Sequence, residues 1–173
     1  MRDNPIIYID VDSTINDHWR RIIDYTVPKW PNGTIDKMAF VQDAIMKDKP
    51  LQFAAEILGT LKQTYRCLIY FLTARNFPDA RRITKKWLEQ NGFSGLYKNI
   101  LIVPSISAKV KYIEMNRPDI VIDDFMTGQE NSIPTFNKEI AHAIEQLGVK
   151  VIVFQGSWFR VSCELSHIIE QEK

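Results

Sequence analysis

Two cysteines in 173 residues, with no CxxC spacing, leave no disulfide framework and no cysteine metal knot to build on. Cys67 opens an apolar run and reads as a small buried hydrophobe. Net charge is as sparse: 22 basic against 21 acidic side chains give +1, without the basic excess of a protein that grips long nucleic acid. Contact with one nucleotide or one strand end stays open. No stretch approaches the ~20 apolar residues of a membrane span, and the apolar run near the N-terminus is too short for a signal peptide. Repeats and low-complexity segments are missing too. The expectation is a single domain over residues 1–173, in a reducing, cytoplasmic setting and with no membrane partner.

What is present is a rhythm. The apolar runs Pro5 to Ile9, Cys67 to Leu72, Asp119 to Ile122 and Val149 to Phe154, with a weaker fifth from Ile100 to Val103, are apolar at nearly every position rather than alternating. That is the pattern of parallel strands covered on both faces. Helical patterns lie between them: Leu51 to Tyr65, Pro78 to Asn91 with Gly92 as its stop, Ser107 to Asn116, and Phe136 to Leu147 before Gly148. The tail from Ser157 reads as a closing helix over the last strand. Alternation of this kind predicts an α/β fold with a doubly wound, mainly parallel sheet of five strands.

One interval breaks the alternation. Residues 16–50, an insertion of about 35 residues directly after the first strand, read as a small helical cap over the carboxyl ends of the strands, where open α/β sheets bind ligands. Its two helices are expected over Asp17 to Tyr25 and Asp36 to Lys47, around a turn from Val27 to Gly33. Trp19, Tyr25, Trp30 and Phe40 offer aromatic faces that could stack on a base, though packing the cap against the sheet is their commoner use. His18 reads as a surface or cap residue.

Chemistry gathers just past the strands. Asp10 and Asp12, in Asp10-Val11-Asp12-Ser13-Thr14, can divide two tasks, one attacking a phosphorus and the other moving a proton. Alone, the same string is an ordinary turn. Thr73 could hold a phosphoryl oxygen and Arg75 could add a forked donor, or both could be turn residues. Lys109 could offset the charge of a carboxylate facing a phosphate dianion, with Lys111 as its rival. Asp123 and Asp124, paired at the end of a buried strand, repel each other unless a cation sits there, and magnesium suits such a site.

In order and context these features resemble the four motifs of the haloacid-dehalogenase (HAD) superfamily. The segment Ile6 to Ile15 resembles the first, Thr73 the second, Lys109 the third and Asp123-Asp124 the fourth. The resemblance covers roughly residues 4–15 and 50–155, not the insertion. It implies that Asp10 is the nucleophile and a magnesium ligand. Asp12 would be general acid and then base, with its backbone carbonyl on the metal. Thr73 and Lys109 would hold the phosphoryl group, Ser13, Thr14 and Arg75 would bind substrate, and Asp123 and Asp124 would complete the metal site. Phosphatases of this superfamily have an aspartate where Asp12 stands, which favours phosphate chemistry. Ser13 departs from the glycine that is commonest there.

The run Leu72-Thr73-Ala74-Arg75-Asn76, with the Arg81-Arg82 to Trp87 helix after it, is similar to two branches. These are the 5'-nucleotidases, including deoxyribonucleotidases, and the phosphatase domain of polynucleotide kinase-phosphatases. The expected substrate is a small phosphorylated molecule, a nucleotide by this likeness, with a nucleic-acid 3' end as the alternative. A non-catalytic phosphate-binding protein on the same fold is a third reading. A small cap could also be completed by a second copy of the chain in a homodimer.

Overall fold

The computed structural model describes residues 2–22, 26–27, 34–35, 41–127 and 135–172, the two short pairs by backbone alone. The sheet has five strands: β1 (Ile6–Ile9), β4 (Leu68–Ala74), β5 (Asn99–Val103), β6 (Ile120–Asp123) and β9 (Lys150–Val153). Their order is β5-β4-β1-β6-β9, and every pairing is parallel. The expected class and strand count are those observed. The chain adds strands first to one side of β1 and then to the other, which opens a crevice at the carboxyl ends of β1 and β6.

Helices cover both faces, which is why the strands lack alternation. On one face Ile7, Ile9, Ile69, Phe71 and Ile122 pack against α3 (Ala54–Tyr65), α4 (Ala80–Gln90) and α7 (Trp158–Gln171). On the other, Tyr8, Leu72 and Val121 meet α5 (Ile106–Asn116) and α6 (Lys138–Gln146). Three of these helices start on a side chain that accepts a backbone N–H: Ser105 from Ala108, Asn137 from Ile140 and Ser157 from Arg160. The cap of α5 is thus Ser105, two residues before the expected start. Cys67 is buried, Cys163 is exposed, and neither forms a disulfide. No helix among the described residues is long and apolar enough to cross a membrane.

Among its described residues the insertion holds α1 (His18–Ile22) and α2 (Gln42–Ile45), and between them β2 (Thr26–Val27) pairs antiparallel with β3 (Thr34–Ile35). Two-residue strands carry too little period-two pattern to be read from sequence. Tyr25, Trp30 and Phe40, and the beginning of the helix expected from Asp36, lie outside the described residues. A second unforeseen ribbon, β7 (Met126–Thr127) with β8 (Thr135–Phe136), follows the Asp123-Asp124 pair.

Candidate active site

Register brings the distant acidic residues together. Ile9 lies opposite Phe71 on one side and Ile122 on the other. The next residue, Asp10, is therefore level with Asp123, and its N–H donates to the Ile122 carbonyl at 2.9 Å. Asp10, Asp123 and Asp124 each offer a carboxylate oxygen within 4.8 Å of the others. Lys109, from the first turns of α5, reaches between two of them, with its Nζ 2.5 Å from Asp10 Oδ1 and 2.6 Å from Asp123 Oδ2. All four belong to one cluster, as the sequence suggested. Lys111, the rival lysine, is exposed.

The charges do not cancel. Three carboxylates share one ammonium, and burial removes the water that would screen them. Burial, opposed by Lys109 but reinforced by Asp123, Asp124 and Asp12, pushes the Asp10 carboxyl well above its usual range. Burial and then Asp123 raise Asp124 to about 7, although the N–H of Met126 on its Oδ1 works against this. The ammonium of Lys109 would lose its proton more easily from burial alone, but Asp10 and Asp123 outweigh that and hold it charged. A surplus of buried carboxylate oxygens is what a hard divalent cation satisfies, so the donor set fits magnesium, with Asp10, Asp123 and Asp124 as the residues that would hold it.

This surplus sets a pH dependence. Between about pH 4 and pH 7 the folded, metal-free chain keeps a proton on Asp124 that the unfolded chain has lost. The stability contributed by that proton is complete below the unfolded value and gone above the folded one. The thermal midpoint of metal-free protein is expected to fall as pH rises through this window, and the Asp124→Asn variant should show a flatter profile. Calorimetric melts from pH 4.5 to 7.5 check this, and a wild-type midpoint that climbs while the variant's stays level would contradict it.

Asp12 is set apart from this cluster. The Arg75 fork holds it, Nε to Oδ2 at 2.8 Å and Nη2 to Oδ1 at 2.5 Å, and the Thr73 hydroxyl donates to Oδ2 at 3.1 Å. Burial would raise its pKa, but Arg75 overcomes this, helped by His18 and Thr73, and keeps the carboxylate ionised far below the usual range. Thr73 and Arg75 were expected on the phosphoryl group or the substrate; in the structure both face Asp12. Arg75 is fixed in turn by Nη1 on Thr84 Oγ1 at 2.6 Å. As for metal binding, the Asp12 carboxylate groups with His18 and Asp48 rather than with Asp10.

That second group was missed in the sequence. His18 is buried, not a surface residue, with Nδ1 2.9 Å from Asp48 Oδ2 and 3.5 Å from Asp12 Oδ1. Arg21 pairs with Asp48 through Nε, and Trp87 Nε1 donates to the Asp48 carbonyl at 2.8 Å. With Arg21 and Arg75 already balancing Asp48 and Asp12, this group is an anchor between insertion and core rather than a metal site.

Ser13 has φ 63°, a left-handed conformation in which glycine is unstrained. Its N–H donates to Asn16 Oδ1 at 2.8 Å, and its Oγ accepts from the Trp19 N–H at 3.0 Å. The Ser13 hydroxyl is thus engaged by α1 of the insertion. Thr14 Oγ1 lies 3.4 Å from Asp10 Oδ2 and accepts from the N–H of Asp124 at 3.2 Å, tying the first and fourth motif segments together.

No protein-family model and no curated protein matches the chain. Solved structures do share its fold. A haloacid dehalogenase-like hydrolase from Streptococcus pneumoniae superposes with a TM-score of 0.56 at 12% identity, covering 87% of this chain and 84% of the other. YfnB from Bacillus subtilis, described as a HAD-hydrolase and solved bound to magnesium, gives 0.56 at 12% identity over 98% of this chain and 100% of its own. A HAD-superfamily hydrolase of subfamily IA, variant 1, from Geobacter sulfurreducens gives 0.51 at 8% identity over 86% of each chain. The fold is that of the HAD hydrolases.

Proposed function

We propose that this chain is a magnesium-dependent phosphomonoester hydrolase that works through a phospho-aspartyl intermediate on Asp10, with a nucleotide as its substrate. The observation that carries the reading is the convergence of Asp10, Asp123 and Asp124 around Lys109 at the carboxyl ends of β1 and β6. The magnesium would neutralise charge on the phosphoryl oxygens and let an anionic nucleophile approach.

In the first step an Asp10 oxygen attacks phosphorus, the bond to the leaving oxygen breaks, and that oxygen takes a proton from Asp12. In the second, Asp12 takes a proton from water as the water oxygen attacks phosphorus. The Asp10–phosphorus bond breaks and inorganic phosphate leaves. Lys109 offsets the charge of the Asp10 carboxylate before it attacks and again once the Asp10–phosphorus bond has broken. Arg75 and Thr73 hold Asp12 ionised, which suits the second step; before the first, their grip loosens and Asp12 takes up from solvent the proton that it then passes to the leaving oxygen.

The choice of nucleotide rests on the likeness of the Thr73 to Arg75 turn and the helix after it to the 5'-nucleotidases. A polynucleotide 3' end is the second reading, favoured by the exposed basic side chains Arg81, Arg82, Lys85 and Lys86 on α4. Phosphate release with and without magnesium, across nucleoside monophosphates, sugar phosphates and 3'-phosphorylated oligonucleotides, tests both. Mononucleotides are expected to react fastest. Oligonucleotide turnover that is faster and falls as salt rises would favour the second reading. No release from any substrate would leave a phosphate-binding protein without catalysis.

A further inference from the structure

We propose that Trp19 is a positioning residue for Asp124, so that the insertion helix α1 takes part in holding the divalent cation. The inference rests on the magnesium reading above and deepens it. Trp19 belongs to α1, yet it is fastened to both segments that build the acidic cluster. Its backbone N–H donates to Ser13 Oγ at 3.0 Å, and its indole Nε1 donates to Asp124 Oδ2 at 3.3 Å. The other carboxylate oxygen, Oδ1, takes the N–H of Met126 at 3.0 Å, so each oxygen of Asp124 has one donor setting its plane.

An aspartate needs this help because its terminal torsion is broad and prefers no single plane. One N–H on each oxygen fixes that plane and leaves lone pairs for a metal. Donors outside the ligands themselves tune metal sites in this way, and their loss weakens affinity by about 10-fold or more. Trp19 is itself well placed to be rigid. The preceding residue, His18, is buried between Asp48 and Asp12 of the core, Arg21 ties α1 to Asp48, and the Asp48 carbonyl is held in turn by Trp87 of α4.

The roles separate by experiment on the full chain, with magnesium alone as the probe. Calorimetric titration of metal-free Trp19→Phe is expected to give a dissociation constant about 10-fold above wild type. Wild-type tryptophan emission should change with magnesium, and that change should vanish in the variant. The melting midpoint of the metal-free variant should stay near that of wild type, which separates lost positioning from lost folding. Should phenylalanine pack poorly, benzothienylalanine at position 19 keeps the indole's shape without its N–H, and the same loss of affinity is expected. A folded variant of either kind that binds magnesium as wild type does overturns the role of Trp19. Wild-type protein that takes up no magnesium overturns the metal reading itself, and this inference with it.

Discussion

Replacing Asp10 by asparagine should lower magnesium-dependent release of phosphate from an aryl phosphate by at least about 10⁴-fold, the scale on which losing a covalent nucleophile acts. The same substitution should leave the fold at least as stable. Asparagine keeps the shape and an acceptor for Lys109, but removes one of three carboxylates that repel each other in a buried space. A variant that loses turnover and not its melting temperature separates a reacting group from a structural one. Steady-state assays beside calorimetry check both halves, and turnover near wild type would end the proposal that Asp10 attacks phosphorus.

Lys109→Met should have the largest effect on stability. Its ammonium bridges Asp10 and Asp123, and all three groups are buried. Removing a cation that touches both leaves their charges facing each other out of reach of water, and breaking such a buried pair costs about 3–5 kcal/mol. The loss should be greatest at neutral pH without metal and should shrink as acid protonates the carboxylates. Urea unfolding at two pH values measures it. Lys111→Met, on the exposed side of the same helix, should stay within about 0.5 kcal/mol of wild type. Equal effects at 109 and 111 would mean that the buried bridge contributes nothing.

The parts of the molecule visible in the sequence are those written in long runs. Ile6 to Ile9 and Ile120 to Ile122 are apolar throughout because helices press on both faces, and that pattern gave both the sheet and the carboxylates at its edge. Lys109, not Lys111, carries the resemblance to the third motif, and burial separates the two in the same sense. What escaped notice depends on pairings between distant side chains. Arg75 looked free to grip a substrate because nothing local says that a fork 63 residues away will close on Asp12. His18 looked like a surface residue because Asp48, its partner, lies 30 residues further on in an insertion without clear periodicity. Asp48 itself had no motif to mark it. The left-handed turn at Ser13 left no local sign either, because serine stands where that backbone would favour glycine.

The place of β1 in the middle of the sheet bears on how the chain folds. Asp119, whose carboxylate caps the N–H of Ile6 at 2.8 Å, is 113 residues further along the chain, and β1 pairs beyond it with Ile120 to Ile122. During synthesis the strand that delivers Asp10 is made before β6 and keeps one edge unpaired until β6 has followed. Such non-local pairing slows folding and exposes an apolar edge to aggregation in the meantime. The acidic cluster around Lys109 should therefore assemble only after both flanks of β1 are filled.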